Sequence, residues 1–321
     1  MNAKGTAGKL ISFYNKFGII FILILELIIF SVANENFFKP NNLFLVGRQV
    51  SFYGIAAVGM TMVLLVGEID ISVGSILAFT GCLSATLMTK MNMPIPLAFH
   101  ITIAICCVFG LVSGSLTAFL KIPSLIGTLA MQTIIKGFTY LMTGGSSVSG
   151  LSEGFKNMGQ GFVLGVVPIP LIIMVLVFAF GFVLLNRTFI GRRIYAVGGN
   201  KEAARLSGIK TNKMVVGTFV VSAITAGVAG ILMAARLGTG QPSTGADFAM
   251  DVLTATVLGG VTLQGGKGFV LNVFIGSFII GILSNGLTMC NVPEYWQWII
   301  KGLVFLFAVA MSNLESLMNK K

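Results

Sequence analysis

Charge is what this chain has least of. Asp, Glu, Lys and Arg make up 10% of its 321 residues, against 55% hydrophobic residues. A soluble chain of that length needs far more charge to cover its surface, so the soluble globular class is excluded and a polytopic membrane protein is indicated. Histidine occurs once, at His100. It has no acidic neighbour in its apolar run and offers no proton relay. Cys82, Cys106, Cys107 and Cys290 lie in or at the end of apolar runs without CxxC spacing, which reads as small hydrophobes rather than metal ligands or disulfides. No GxxxxGK[ST] phosphate loop is present, so the chain is not itself an ATPase. No HExxH or convergent His/Asp/Glu pattern points to an embedded enzyme, a metal or a cofactor. Acids are scarcer than bases, 10 against 21, for a net charge of +11. Most of the bases sit at the ends of apolar runs, where they orient spans. No nucleic-acid partner is implied.

Apolar runs are what the chain has in abundance. Measured against about 20 residues per span, they predict an all-α bundle of about ten transmembrane helices near 17–34, 49–66, 70–89, 95–120, 124–143, 164–185, 214–236, 251–265, 269–289 and 295–312. The first run ends like a secretory signal, but it contains Glu26 and is followed by further spans, which suits a retained helix. Thirteen Ile, Leu, Phe and Val residues, at about −0.3 to −0.6 kcal/mol each, outweigh one carboxylate at about +3. Pro94, Pro96, Pro123, Pro168, Pro170 and Pro293 fall at or just before helix starts, where a missing N–H costs nothing. The run from Asp251 is the weakest, short and holding Gly259 and Gly260, and reads as broken or partly inserted.

Glycine, with 40 residues, is the packing signature of the bundle. Gly110 with Gly114, Ala223 with Gly227, Ala226 with Gly230, and Ser277 with Gly281 let helices approach closely. The stretches from Gly144 and from Leu237 read as external loops, either contacting a partner or simply connecting. VLLVGEIDISVGSILAFTG and VLGGVTLQGGKGFVLNVFIG share an apolar run, a glycine turn and a second apolar run, a hint of related halves with both turns on the cytoplasmic side.

One basic island interrupts the apolar chain at residues 186–213. Arg187, Arg192, Arg193, Lys201, Arg205, Lys210 and Lys213 face the single acid Glu202, so the positive-inside rule makes it cytoplasmic. Six preceding spans and a cytoplasmic N-terminus agree, and place the C-terminal Lys320 and Lys321 inside as well. Within the island, Asn200 is an N-cap, Glu202 and Arg205 complement the dipole, and Gly208 suits the left-handed C′ position. A helix of about two turns follows. Being shorter than about 12 residues, it must be held by packing on its own bundle or on a partner, and Ala203 and Ala204 leave a low surface for such contact.

The remaining polar residues carry two readings each. Asp70 or Ser72 caps the helix after the first glycine turn while Glu68 and Asp70 meet its dipole; alternatively the two carboxylates touch a cytosolic partner. Gln132 and Lys136, one turn apart in the fifth span, line a polar translocation path, or Lys136 snorkels outward. Asp251 reads as a cap, and Lys301 as a snorkelling lysine. Tyr295, Trp296 and Trp298 form an interface belt or an aromatic platform for a sugar.

Four segments, in order, carry a family resemblance: GEIDISVGS from Gly67, GRRIYAVGGNKEAARLSGI within the island, VLGGVTLQGGKG from Val257 and YWQWIIKG from Tyr295. The run Glu202, Ala203, Ala204 followed by Gly208 matches the EAA-xxx-G coupling loop of ABC-importer permeases, and the longer motif resembles the ribose, xylose and galactoside branch over nearly the whole chain. The Ile-x-Leu-Pro continuation of the general EAA pattern is absent. The resemblance implies a single permease domain over residues 1–321 in the bacterial cell membrane, with both termini cytoplasmic. It implies ATPase coupling through Gly191, Arg192, Asn200, Glu202, Ala203, Ala204, Arg205 and Gly208. Its partners would be ATP-binding cassette subunits, an extracytoplasmic sugar-binding protein, a second permease copy and membrane lipid. Ribose leads among the sugars, with xylose, galactosides and a furanose-like signal in reserve. The competing class is an ion-coupled secondary transporter, which leaves the island unexplained.

Overall fold

Each apolar run becomes a helix because a backbone without water must satisfy its own N–H and C=O groups. In the computed structural model, residues 3–318 are described, with side chains from 18 to 312. Lys320 and Lys321 lie outside the described residues, as do the side chains of Lys4, Lys9 and Lys16. The order is α1 (Ala3–Ala33), α2 (Pro40–Leu65), α3 (Val73–Thr89), α4 (Ile95–Ala118), α5 (Ser124–Thr143), α6 (Glu153–Gln160), a two-stranded hairpin β1 (Phe162–Val163) and β2 (Val167–Pro168), and α7 (Ile169–Arg187). Then come α8 (Phe189–Gly199), α9 (Lys201–Leu206), α10 (Thr211–Leu237), α11 (Phe248–Leu258), α12 (Val270–Met289) and α13 (Glu294–Met318).

Among the described residues, seven helices are long and apolar enough to cross a membrane: α2, α4, α5, α7, α10, α12 and the Glu294–Ser312 part of α13. Gly18–Ala33 within α1, and α3 and α11, are shorter apolar helices. At 11 residues, α11 is about 16 Å long, about half the hydrocarbon thickness.

The centre of the bundle is α2 and α10, packed against each other and against α4, α3, α12 and α7. Small residues set those distances. A Cβ at Gly59 of α2 would lie 2.5 Å from Ser222 Cα of α10, and one at Gly110 of α4 would lie 2.6 Å from Val220 Cα. The small-residue pairs read from the sequence thus join helices of one chain. Asn42 of α2 and Asn285 of α12 exchange amide hydrogen bonds of 3.1 and 2.9 Å, satisfying both buried side chains.

Two external-loop readings need correction. The stretch from Gly144 contains α6, capped by Ser152 and packed on α10, because Phe155 is buried and Gly159 lets α6 abut the α10 backbone. The stretch from Leu237 is not a free loop. It runs down the side of α3, with Gly240 against Gly81 and Cys82 and Gly245 against Gly74. Small residues in both partners let an irregular backbone lie where a helix would not fit.

That descent explains the short helices. Gly74, in the first turn of α3, faces Gly245 and the Ala249 N–H at the start of α11, so the two short helices begin beside each other. Asp70, just before α3, bonds Ser222 in the body of α10 rather than at its end. The two starts therefore lie part-way through the bundle, and irregular backbone leads into each. Such backbone is tolerated at depth only when protein groups satisfy it. Here Ile69 N–H donates to Ser124 Oγ (3.0 Å) and Ile71 N–H to Thr128 Oγ1 (3.2 Å), both from α5.

Candidate functional site

At one end of the bundle the island folds as an elbow, α8 followed by α9. Thr188 Oγ1 accepts the Ile190 and Gly191 N–H groups and starts α8. Gly191 is buried against the Leu185 backbone of α7, whereas Arg192 is exposed. The α9 helix has the punctuation expected of it. Asn200 Oδ1 accepts the Ala203 N–H at 2.9 Å, and Gly208 takes φ +82°. Arg205 grips Glu202 bidentately (3.0 and 2.5 Å). Those hydrogen bonds hold the Glu202 carboxyl below the usual carboxylate range, so the pair stays charged at neutral pH.

The two alanines divide their roles. Ala204 is buried on the bundle, and Ala203 is exposed with Glu202 and Arg205. The sequence reading missed Leu206, which is 76% exposed beside them. It adds apolar area to the exposed face that Ala203 also occupies. The signal was an EAAR run ending on leucine instead of a polar residue.

The elbow rests on both glycine turns. Gly198 sits so close to the Leu65 carbonyl that a Cβ would overlap it, and the same Cβ would lie 2.5 Å from Gly266 N. Gly266 N–H donates to Leu65 O (2.9 Å), and Gly265 abuts Gly67. The two glycine-turn segments thus meet each other and the elbow at one junction. Tyr195 adds a bond from its hydroxyl to Gly268 O (2.8 Å), and burial pushes its pKa up, keeping the donor protonated. Lys201 Nζ reaches Glu68 Oε1 at 3.5 Å, a partly exposed and weak tie.

Asp70 departs from both sequence readings. It is 1% exposed, so it touches no partner, and it does not cap α3. Its Oδ1 accepts from Ser72 N (3.0 Å) and Ser72 Oγ (2.5 Å), and its Oδ2 accepts from Ser222 Oγ (2.8 Å). Lying two residues before the helix boundary, the carboxylate closes its own turn and ties that turn to α10.

Gln132 and Lys136 are brought together at a cavity of about 330 Å3 beside the starts of α3 and α11. Gly74, Ser75 and Ala78 of α3, Tyr140 of α5, and residues 242–246 complete the lining. Hydroxyls, an amide and one ammonium supply donors and acceptors suited to a polyhydroxylated ligand.

Asp251 and Lys301 also correct the sequence reading. Lys301 Nζ donates to Asp251 Oδ2 at 2.8 Å, with Asp251 5% exposed, so neither a cap nor a snorkelling lysine is found. Charge burial between α11 and α13 is costly, and pairing is what makes it tolerable. Among the described residues, no three potential metal ligands come together.

A bundle of apolar helices carrying a basic helical elbow and a polar cavity where two short helices begin defines a polytopic membrane permease. The chain belongs to the family described as the permease component of branched-chain amino acid transport systems, which matches residues 42–309. It is 41% identical to the ribose import permease protein of Haemophilus influenzae over 91% of both chains. It is 39% identical to that of Bacillus subtilis, over 92% of this chain and 91% of the relative. The xylose transport system permease protein of Escherichia coli is 32% identical over 83% of both chains. No solved structure matches the chain.

Proposed function

We propose that this chain is the transmembrane permease subunit of an ATP-driven ABC importer that carries a monosaccharide, a ribose-like pentose or a hexose, into a bacterial cell. The observation that carries this reading is the identity of about two-fifths, along nine-tenths of the chain, to ribose import permeases. Relatives that carry ribose and xylose favour a sugar over the amino acids in the family's description. The whole chain, 1–321, serves as one permease domain with ten membrane-embedded helices, α3 and α11 being partial spans. Both termini and the 186–213 loop face the cytoplasm, where α9 is the coupling helix. ATP is hydrolysed by a separate cassette subunit, since this chain has no phosphate loop. An extracytoplasmic sugar-binding protein delivers the substrate, and a second permease copy completes the pathway.

The geometry supports a mechanism. Cassette closure moves α9 as a rigid body. The glycine junction passes that movement to the segment leading into α3, whose first turn lines the cavity of Gln132 and Lys136, and to the C-terminal end of α11, whose start follows residues 242–246 of the same lining. Access then alternates between the two sides.

The test is uptake by proteoliposomes holding permease, cassette and binding protein. ATP-dependent accumulation of D-ribose or another monosaccharide is the expected result. Accumulation driven by a sodium or proton gradient without the cassette would make the chain a secondary transporter instead. If α9 is the docking surface, Leu206→Asp is expected to weaken cassette binding by about 2 kcal/mol, the scale of burying one leucine side chain. Co-purification of the cassette with the variant measures this, and undiminished co-purification would remove Leu206 from the interface.

A further inference from the structure

Resting on the reading of this chain as a sugar permease, we propose that the cleft between α11 and α13 is a second monosaccharide-binding station, built by Asp247, Lys301 and Trp298. The cleft is a cavity of about 150 Å3 lined by Asp247, Asp251, Thr254, Trp298, Lys301 and Gly302, among others. A cavity of about that size holds one six-membered ring. It lies next to the first cavity, because residues 242–246 line one and Asp247 lines the other.

The chemistry of the lining selects the ligand. Asp247 occupies the N-cap position of α11, yet its side chain makes no cap hydrogen bond. Among the described residues it forms no ion pair and accepts no hydrogen bond, so its carboxylate is free to take ligand hydroxyl donors. Lys301 bonds Asp251 through one N–H and has two left to donate. Trp298, 52% exposed, adds an apolar aromatic wall against which the C–H face of a sugar ring packs. A free acceptor, a spare donor and an aromatic wall around a ring-sized space form the complement of a neutral polyol. A hydrophobic ligand would leave the spare N–H donors of the part-buried Lys301 without a partner, and an anion would be repelled by Asp247. Trp296, two residues away, does not line the cleft and serves as an internal control.

The test uses the full permease labelled with 5-fluorotryptophan, bound to its unlabelled cassette in nanodiscs. Its two tryptophans give two fluorine resonances, assigned through Trp296→Phe. D-ribose, D-xylose and D-galactose are titrated to about 100 mM, well above a millimolar Kd. The expected result is a saturable shift of the Trp298 resonance by at least one sugar, with Trp296 unmoved. Asp247→Asn is expected to raise the half-saturating concentration about tenfold, the loss of one hydrogen bond to a charged group. Three results would overturn the site: no Trp298 shift with any of the sugars, an equal shift of both resonances, or a shift produced by sodium ions and not by sugar. ATP-driven uptake by the same complex separates this outcome from the larger reading. Uptake with a silent Trp298 removes the station and leaves the permease function standing. Absence of ATP-driven uptake for every sugar removes the function itself.

Discussion

Gly198→Ala is expected to cut ATP-driven uptake by about 5- to 150-fold, the span of ordinary coupling free energies, while the cassette still binds. The new methyl group would overlap the Leu65 carbonyl oxygen and crowd Gly266 N. Backbone must move to relieve that overlap, since no flexible side chain is in the way. The hydrogen bond from Gly266 N–H to Leu65 O is lost, and the elbow separates from both glycine turns. The next residue supplies the control. A methyl group added at Gly199 would meet no heavy atom within 4 Å, and the backbone there is not left-handed, so Gly199→Ala is expected to transport normally. ATPase activity should persist in both variants and lose its response to sugar only in the first. Equal uptake by the two variants would mean that the junction transmits nothing.

Lys301→Met is expected to have the second-largest effect. Removing one partner of a buried ion pair leaves the other charge uncompensated, at a cost of about 3–5 kcal/mol. Asp251 is the stranded group here, held between α11 and α13 with Tyr53 of α2 beside it. The short helix α11 would shift or lose its fit, and the variant should melt earlier and express poorly. Asp251→Leu combined with Lys301→Met replaces the pair with apolar side chains and should recover most of the lost stability. Thermal unfolding of the purified permease in detergent reads both effects. If the double variant is no more stable than the single one, the pair is not what holds these helices together.

How much was legible in the sequence depended on how far apart the cooperating residues lie. Asn200 and Gly208 could be read directly, because capping and left-handed turns are local decisions made within one helix. Gln132 and Lys136 were readable as one face because helical spacing alone puts them together. The sequence also signalled that the run from Asp251 was too short to be ordinary. It did not reveal that α11 starts against Gly74, or that Asp251 meets Lys301 fifty residues later. Those pairings arise from tertiary approach, and a lone Asp at a helix start looks like a cap in any sequence. The glycine junction was half legible. Both turns stood out by composition, whereas their contact with Gly198 depends on an elbow whose first helix, α8, is stabilised mainly by its buried Gly191, Ile194 and Val197. Asp70 was misread for the opposite reason: an Asp just before a helix looks like a cap, but one of its oxygens closes its own turn on Ser72 while the other reaches Ser222 on a distant helix, which no local pattern reveals.

The shortness of α11 bears on how the chain enters its membrane during synthesis. With 11 residues it cannot cross as an independent segment, and it carries Asp251 near its start. A segment of that kind gains little from partitioning into lipid by itself as it leaves the ribosome. In the folded chain its apolar surface packs on α12 and its carboxylate is paired by Lys301 of α13, so its place in the membrane depends on the two helices that follow it. The last three helices are therefore coupled in their membrane stability, and a change in α12 or α13 reaches α11 as well.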